Sequence, residues 1–466
     1  MDPSGPSRPV VLLSNRGPLS FSIGDDGALA VRRGAGGLVS GLGPLVAGTE
    51  AIWLAAAMSD GDRRAAEQGV IEAEGLRVRL LALDPDTHRS AYDVVCNATL
   101  WFAHHGLFDA PRRPRPERRW REAWEAYRVV NHAFADAAAE AAPEGAAVLV
   151  QDYHLCLVGP RLRAARPDLR LVHFAHTPFA VPEWFRAVPD YAARELLEGL
   201  AAHHACGFHT ARWARDFAAC CAAAPGGPVA APATFVAALA PDEADLAKVV
   251  ASDACALAFE ELDTTVGDRA FVLRVDRVEL SKNLLRGFSA LDLLFEEHPE
   301  WVGRLVVGAF VYPSREGLPE YLAYRQEVEG VVRRLNERWA TPDGWEPVLY
   351  DPSDDFPRSV AALRRADVLL VNPVRDGLNL VALEGMLVNE RDAALVLSTE
   401  AGAWDLLGAA GAIGINPFDV AATADALHTA LMLAAPERAE RARRLRAAAG
   451  ARTPADWLAD QLAAAG

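Results

Sequence analysis

Short apolar segments alternate with longer helical segments along the whole chain, and this alternation constrains the fold more than any other feature. Apolar segments of the first half cover residues 8–15, 51–57, 75–83, 146–153, 169–176 and 204–210. Helical patterns such as residues 121–142 separate them. Strands that alternate with helices predict parallel β-sheets covered by helices.

The same alternation restarts in the second half, after a Pro-, Gly- and Ala-rich segment at residues 222–233. A chain of 466 residues is also too long for one ordinary core. We therefore predict two parallel-sheet α/β domains, 1–232 and 233–447, followed by a C-terminal helix at 448–466 that packs on the first domain. Ligands of such sheets bind at the carboxyl ends of the strands, so two facing domains would place the site in a cleft.

Composition excludes several classes of protein. The net charge of −16 (47 basic against 63 acidic residues) argues against nucleic acid or anionic membrane as a partner. The first ten residues lack the pattern of a signal peptide, and no apolar run reaches the roughly 20 residues that span a bilayer. Six scattered cysteines without a CxxC motif indicate a reduced, cytoplasmic protein without a structural zinc.

The segment DRVELSKN at 276–283 contains one of only two lysines in the chain, Lys282, the other being Lys248. Arg277 and Lys282 both follow the first predicted strand of the second half. Two cations a few residues apart can neutralise a diphosphate that leaves in a reaction. The alternative is a solvated basic surface.

The segment VNPVRDGLNLVALEG at 371–385 predicts a strand, a turn that contains glycine, and a helix. The free amides at the start of that helix could hold a phosphate. Asp376 lies in the turn, and a carboxylate at Glu384 could accept hydrogen bonds from a ribose diol. The alternative is an aspartate cap and a surface glutamate.

Other polar residues also follow predicted strands. Arg16 lies after the first strand, Asp152 in QDYHL after another, and His176 in HTPFA after a third. A single Asp or His at the end of a strand is more often structural than catalytic, and an Arg after a first strand is usually a solvated charge. The Gly-rich run GAGGLVSGL at 34–42 is explained as well by tight packing as by the approach of a ligand.

Taken in order, these motifs resemble those of trehalose-6-phosphate synthases, which are retaining glycosyltransferases of the GT-B type. The set is SNR, GGL, a Tyr-to-Trp spacing of nine, DYHL, HxPF, GFxT, R-x4-SK, SR and RDG-x-NLVA-x-E, from Ser14 to about Phe418. The resemblance implies a GT-B fold, with two Rossmann-like parallel-sheet domains facing across a cleft. No metal is needed if cationic side chains neutralise the diphosphate. No cofactor is expected either, since the nucleoside-diphosphate glucose (UDP-, GDP- or ADP-glucose) is a substrate.

The resemblance also implies roles for residues of the second half. Arg277 and Lys282 match the pair that binds the donor diphosphate. Asn379, Leu380 and Val381 match the helix start whose amides hold it, Glu384 matches the carboxylate on the ribose, and Asp376 matches the residue that binds the donor glucose.

For the first half, His176 matches a residue near the donor glucose, and Gly36 and Gly37 match a loop that closes over both substrates. Asp152 matches a contact to an acceptor hydroxyl, and Trp53 is assigned to the wall of the acceptor site. The cluster that holds the phosphate of glucose 6-phosphate is matched by Arg16, Tyr92, Trp101 and Arg315.

The implied reaction transfers glucose to glucose 6-phosphate with retention, giving α,α-trehalose 6-phosphate. The implied route is front-face attack in which the leaving diphosphate accepts the acceptor proton. Departures from the family pattern are Gln151 for His, Leu383 for Lys, Asn283 for Gly, and no glycine in 236–241.

Three alternatives stay open. Two are enzymes with another acceptor, namely glucosylglycerol-phosphate synthases and the pseudo-glycosyltransferases that couple cyclitols, to which LVNERDA at 387–393 is similar. The third is a non-catalytic sensor of sugar phosphates. The expected partners are small-molecule substrates, and a homo-oligomer is compatible with the sequence.

Overall fold

The computed structural model describes residues 8–24, 26–34, 37–315 and 317–466, and it forms two compact units. The first unit comprises Met1–Leu239 and Pro454–Gly466, and the second comprises Ala240–Thr453. The first boundary thus lies at residue 239 and not at 232, because Ala233–Val236 form a strand that pairs with Ala205–Phe208 of the first unit. Residues 448–453 belong to the second unit, and only the final helix belongs to the first.

The strands of the first unit follow the predicted apolar segments. They are β1 Val10–Ser14, β2 Leu19–Ile23, β3 Leu29–Arg33, β4 Ile52–Ala56, β5 Val70–Ala73, β6 Leu76–Leu81, β7 Ala147–Gln151, β8 Arg170–Ala175, β9 Ala205–Phe208 and β10 Ala233–Val236. Eight of them form one sheet in the order β10-β9-β8-β7-β1-β4-β6-β5. Every pair in it is parallel except β5 with β6.

Helices connect these strands, as the alternating pattern predicts. They are α1 Gly37–Val46, α2 Asp60–Ala66, α3 Pro85–Ser90, α4 Trp101–His105, α5 Arg118–Ala141, α6 Val158–Ala165, α7 Pro182–Phe185, α8 Asp190–Ala201 and α9 Ala211–Ala222. A π-helix at Ala91–Leu100 precedes α4, and a 3-10 turn at Tyr153–Leu155 follows β7.

The second unit contains a fully parallel sheet in the order β13-β12-β11-β14-β15-β16. Its strands are β11 Ala270–Val278, β12 Leu305–Pro313, β13 Val348–Asp351, β14 Val368–Val371, β15 Ala394–Ser398 and β16 Ile413–Ile415. Its helices are α10 Glu243–Val250, α11 Asp253–Val266, α12 Leu284–Glu297, α13 Pro319–Trp339, α14 Phe356–Arg365, α15 Leu380–Val388, α16 Trp404–Leu407, α17 Val420–Met432 and α18 Ala435–Ala449. Short 3-10 turns lie at Leu280–Lys282 and Pro299–Trp301.

The final helix, α19 Pro454–Ala465, packs on the sheet of the first unit. Its indole at Trp457 is fully buried, and the Arg170 Nε at the start of β8 donates to the carbonyl of Ala465 at 2.7 Å. The C-terminal helix is therefore part of the core of the first unit.

In each sheet, the order in which the chain adds strands reverses beside the first strand, β1 or β11. The chain proceeds from β1 through β4 to β6 on one side and from β7 through β8 to β10 on the other. In the second sheet it proceeds from β11 to β13 on one side and from β14 to β16 on the other. Crevices at such reversal points, outside the carboxyl ends of the strands, are where open parallel sheets bind ligands. They lie between β1 and β7 and between β11 and β14.

The antiparallel hairpin of β2 and β3 was not predicted. Leu19 and Phe21 are buried while Ser20 is exposed, which is the alternation of a strand with one covered face. The backbone N–H of Phe21 donates to Asp62 Oδ1 at 2.7 Å, so the hairpin is attached to α2. Among the helices of the described ranges, none combines the length and the hydropathy that crossing a membrane requires.

Candidate functional site

The predicted donor residues of the second unit lie at the reversal point of its sheet. Arg277 is near the end of β11, and Lys282 ends the 3-10 turn that follows. Asp376 and Asn379 follow β14, which is hydrogen-bonded directly to β11. The fold therefore brings together residues that are about a hundred positions apart in the sequence.

A chain of polar contacts joins three of these residues. The Nζ of Lys282 lies 2.6 Å from Asp376 Oδ2, and the Asn379 amide donates to the same oxygen at 3.2 Å. Burial opposes a charge on Lys282, but the carboxylates of Asp376 and Asp276 outweigh it and raise the pKa of the lysine. Lys282 is thus held as a cation with a fixed direction.

A second, deeper ion pair lies under Lys282 and was not predicted. The guanidinium of Arg274, which is 1% exposed, donates to Asp276 Oδ2 at 3.0 Å, to the carbonyl of Lys282 at 3.1 Å and to Asn372 Oδ1 at 3.2 Å. These bonds connect the turn after β11 to the end of β14. Nothing in a single sequence distinguishes Arg274 from the other arginines, because its role depends on the pairing of two distant strands.

The helix α15 begins at Leu380, as the predicted phosphate-binding helix start requires. Asn379 is left-handed, with φ of 78°, and its side chain accepts from the backbone N–H of Ala382 at 3.2 Å. The amides of Leu380 and Val381 lie in the first turn, where N–H groups have no partner within the helix and favour an anion. The geometry is therefore compatible with the predicted diphosphate contact.

Glu384 lies on the second turn of α15 and is partly buried. Burial raises its pKa to about 7. When it is ionised, this carboxylate can accept hydrogen bonds from hydroxyl donors such as a ribose diol.

Gly402 controls the shape of the turn that carries Asp376, and it was not predicted. The N–H of Gly402 donates to the carbonyl of Asp376 at 3.1 Å, and Asp376 forms an isolated parallel bridge with Ala401. A Cβ at position 402 would collide with the carbonyl oxygen of Gly377. Only glycine allows this close approach of the two backbones.

Arg315, assigned to the acceptor phosphate, follows β12 in the second unit. Its backbone is left-handed, with φ of 49°, and its Nη1 donates to the Tyr321 hydroxyl at 2.7 Å. A non-glycine residue in this conformation is strained by about 1–3 kcal/mol and is common at functional sites. The same Nη1 also contacts Glu279, which Arg277 contacts too.

In the first unit, two predicted residues flank the reversal point between β1 and β7. Arg16 follows β1 and is exposed, and Asp152 follows β7 with a φ of 69°. The Asp152 carboxylate accepts the backbone N–H of His176 at 3.2 Å. Because a positive φ is strained for aspartate, this conformation is consistent with a functional carboxylate.

His176 follows β8 and lies among buried side chains. Its Nε2 lies 2.9 Å from Gln151 Oε1, and the Gln151 amide donates in turn to Gln461 of α19 at 3.0 Å. Its ring also contacts Trp457 at 5.5 Å between centroids. Burial and the nearby His209 lower the pKa of His176 well below its usual value, so the ring is neutral.

Arg16, Tyr92 and Trp101 are connected by a row of rings. Tyr92 stacks between His88 and His154, and His154 stacks on Tyr153, whose ring is tilted against Trp101. His88 Nε2 is 3.0 Å from Asn15 Oδ1, next to Arg16. Burial, together with the charge of Arg16, lowers the pKa of His88. His88 was not predicted, although it is four residues before Tyr92.

Trp53 is 1% exposed and its indole N–H donates to Ser14 Oγ at 2.7 Å, so it offers no open surface to a ligand and instead supports the segment before Arg16. Gly36 lies outside the described residues, whereas Gly37 begins α1.

The chain matches the family model of glycosyltransferase family 20 over residues 8–465. The chain belongs to glycosyltransferase family 20. It is 30% identical over 453 residues to the alpha,alpha-trehalose-phosphate synthase [UDP-forming] of Schizosaccharomyces pombe, covering 93% of this chain and 85% of that protein. It is 33% identical over 460 residues to the trehalose-6-phosphate synthase of Mycolicibacterium vanbaalenii, covering 94% of this chain and 91% of that protein.

Solved structures of the family align over nearly the whole chain. One, described as trehalose-6-phosphate from E. coli bound with UDP-2-fluoro glucose, has a TM-score of 0.84 at 25% identity and covers 97% of this chain and 98% of the other. Another is an alpha,alpha-trehalose-phosphate synthase (UDP-forming) from Burkholderia xenovorans in complex with glucose-6-phosphate. It has a TM-score of 0.82 at 26% identity and covers 97% and 98% of the two chains. The predicted GT-B fold is confirmed.

This family 20 chain has one cluster of potential metal ligands among its described residues: His298, Glu300 and His428 in the second unit. The two imidazoles are stacked, with centroids 3.6 Å apart and planes inclined by 6°. Lone pairs of imidazole nitrogens lie in the ring plane, so parallel rings at this spacing cannot direct both at one ion 2.0–2.1 Å away without a rotation. The arrangement is that of a stacked pair at the surface.

Proposed function

We propose that this family 20 enzyme transfers glucose from UDP-glucose to glucose 6-phosphate and forms α,α-trehalose 6-phosphate with retention. Relatives named as trehalose-phosphate synthases match more than nine-tenths of the chain. The bound molecules named for the solved relatives, UDP-2-fluoro glucose and glucose-6-phosphate, are of the same classes as the proposed substrates.

The observation that carries the proposal is the grouping of Arg277, Lys282 and the start of α15 at one edge of the second sheet. Two cations and a helix N-terminus together suit a diphosphate. Lys282 is oriented by Asp376. Asn379 donates its amide to the same carboxylate, and its side-chain oxygen caps α15 by accepting from the N–H of Ala382. This preorganisation is what an enzyme needs to stabilise a leaving group as its charge develops.

In the proposed reaction, the bond between the anomeric carbon and the donor diphosphate breaks, and the anomeric carbon bonds to the anomeric oxygen of glucose 6-phosphate. The hydroxyl proton of the acceptor passes to the oxygen of the departing diphosphate on the same face. Arg277 and Lys282 stabilise the charge that develops there. Losing one such contact typically costs about 10²–10³ in rate.

The front-face route needs no protein nucleophile, and Asp376 has another role in it. Its Oδ2 accepts from both Lys282 and Asn379, so that oxygen is occupied by two donors. We propose that Asp376 binds hydroxyls of the donor glucose and orients the Lys282 ammonium group. His176, held neutral, is assigned to hydrogen bonding and not to proton transfer.

We propose UDP-glucose as the donor because the S. pombe and Burkholderia relatives are named as UDP-forming. Glu384 is assigned to the ribose, which GDP- and ADP-glucose share. This assignment therefore predicts binding of a nucleotide sugar but does not discriminate between uracil, guanine and adenine.

The segment 387–393, which is similar to cyclitol-coupling enzymes, has a structural explanation. Asn389 is buried, and its amide donates to the carbonyls of Leu363 and Ala366 at 2.8 and 2.9 Å. Its Oδ1 accepts from the backbone N–H groups of Arg391 and Ala393. The segment thus attaches the end of α15 to the end of α14, so its sequence is also explained by the packing of these two helices.

The test measures nucleoside-diphosphate release by the purified protein in EDTA with UDP-, GDP- and ADP-glucose, each with and without glucose 6-phosphate. We expect release with UDP-glucose that depends on glucose 6-phosphate, and a product with the mass of a hexose disaccharide phosphate. Nucleoside-diphosphate release that does not depend on glucose 6-phosphate would contradict the proposal, as would the absence of release with all three donors. Phosphorylated amino-cyclitols are the next acceptors to test in that case.

A further inference from the structure

Glu279 is a fully buried carboxylate to which neither the sequence motifs nor the proposed reaction assigns a role. It follows β11 and precedes the 3-10 turn Leu280–Lys282. Its side chain is 0% exposed. A buried glutamate is rare unless it is paired, because removal of a charge from water costs several kcal/mol.

One oxygen of Glu279 accepts from three donors that come from two different strand ends. Oε1 lies 3.1 Å from Arg277 Nη1, 3.2 Å from Arg315 Nη1 and 3.0 Å from the Ser314 hydroxyl. Arg277 belongs to the end of β11, while Ser314 and Arg315 follow β12. The two arginines therefore meet on a single acceptor atom.

The charges explain why a carboxylate suits this position. Two guanidinium groups this close would repel each other in a buried setting. One carboxylate removes part of that repulsion and leaves a net positive charge for incoming anions. Burial would raise the pKa of Glu279, but Arg277, Arg315 and Lys282 outweigh it and lower the pKa, so the group is ionised.

The two arginines differ in how much of each remains accessible. The Arg277 side chain is 38% exposed, and that of Arg315 is 10% exposed. Arg315 is further held by Tyr321, both through the hydroxyl and through its ring at 5.5 Å. Glu279 is thus a contact that the two side chains share.

We propose that Glu279 is a positioning residue that orients Arg277 and Arg315 together, so that one carboxylate sets the cation for the donor diphosphate and the cation for the acceptor phosphate. This inference rests on the proposed function, which assigns those two anions. It predicts that a single substitution at 279 impairs recognition of both substrates, although Glu279 itself touches neither.

The test compares KM for UDP-glucose and KM for glucose 6-phosphate in the wild type and in Glu279→Gln. Removing the charge should raise both KM values by about 10-fold or more, since both guanidinium groups lose the charged acceptor that orients them. A matched control is Glu329→Gln, which removes the same charge from an exposed pair with Arg325 on α13. It should leave both values unchanged.

A second variant, Glu279→Asp, keeps the charge with a side chain shorter by one methylene, and serves if Glu279→Gln does not fold. It should raise both KM values, but less than Gln does. A purely structural role would lower the active fraction, and hence apparent kcat, without changing KM. Unchanged KM values, or a change in one substrate alone, would overturn the inference.

The proposed function and this inference can fail separately. If the wild type shows no turnover, the proposed function fails, and the same comparison is made with dissociation constants of UDP and glucose 6-phosphate measured by calorimetry. Weaker binding of both ligands by Glu279→Gln would still support the inference. Binding of both ligands that is equal in wild type and variant, or no binding by the wild type, would overturn it.

Discussion

Lys282 Nζ and Asp376 Oδ2 lie 2.6 Å apart, although the two residues are separated by 94 positions in the chain. This contact links the turn after β11 to the turn after β14. The lysine is therefore an aligned charge at the reversal point of the second sheet, which is where such folds bind ligands.

Replacing Lys282 by alanine should lower kcat/KM by about 10² or more, because the developing charge on the leaving diphosphate loses a fixed cation. The change is measured by nucleoside-diphosphate release at saturating acceptor. The chain offers a matched control in Lys248→Ala, since Lys248 is the other lysine and is exposed on α10. Activity of Lys282→Ala close to that of the control would contradict the assignment.

The affinity for the donor should depend on pH through Glu384. Burial raises the pKa of this carboxyl to about 7, so it is ionised above that pH and protonated below it. Under the proposed assignment, the ionised form accepts hydrogen bonds from both ribose hydroxyls. KM for UDP-glucose should therefore rise as the pH falls from about 8 to 6, by up to roughly 10-fold, and Glu384→Gln should remove this dependence. The same pH dependence in the variant would rule Glu384 out as its source.

The stability of the ligand-free protein should also depend on pH through Glu384. A carboxyl whose pKa is raised from 4.5 favours folding most below that value, and loses this contribution as the pH rises through about 7. Glu384→Gln cannot ionise, so the Tm difference between variant and wild type should shift in favour of the variant from pH 5 to pH 8. Differential scanning calorimetry measures it, and a gap that is constant with pH would contradict the burial of the charge.

Gly402→Ala should displace the turn that carries Asp376, because the added Cβ would collide with the carbonyl of Gly377. Such overpacking typically costs about 1–3 kcal/mol, and we expect turnover to fall further because Lys282 loses its aligned partner. Gly330→Ala on α13 is the control, since its added Cβ would meet only the flexible ends of the Arg334 and Arg333 side chains. Equal effects of the two substitutions on activity would argue against the role of the turn.

His176 should not titrate near neutral pH. Burial and His209 lower its pKa well below the ordinary value, and its Nε2 contacts Gln151. The ring signals of His176 in an NMR titration, assigned by comparison with His176→Asn, should stay constant from about pH 5.5 to 8. A midpoint near the ordinary value of about 6.5 would show that the ring reaches water.

Most strands could be predicted because a buried parallel strand is apolar on both faces, as in β1, β7 and β14. The hairpin of β2 and β3 was missed even though Leu19, Ser20 and Phe21 alternate. The end of the first unit was placed too early because β10 is mostly exposed and belongs to the first sheet only through its pairing with β9. Pairing between distant strands leaves no local signal.

Similar limits apply to the site. The segments around Lys282 and Asn379 were found from local patterns: a cation after a strand and a strand–turn–helix. Glu279 and Gly402 were missed because their roles come from contacts with residues that only the fold brings near. Trp53 was assigned to the wall of the acceptor site from the family resemblance alone, and its burial depends on the pairing of β1 with β4.

Transfer of glucose with retention to the anomeric oxygen of glucose 6-phosphate is tested most directly by the structure of the product. Wild-type protein would be incubated with UDP-glucose labelled with ¹³C at the anomeric carbon and unlabelled glucose 6-phosphate, and the product analysed by NMR. We predict a disaccharide phosphate in which the labelled carbon is α-linked to the anomeric carbon of the acceptor. A β linkage, a linkage to another hydroxyl, or free labelled glucose alone would contradict the account.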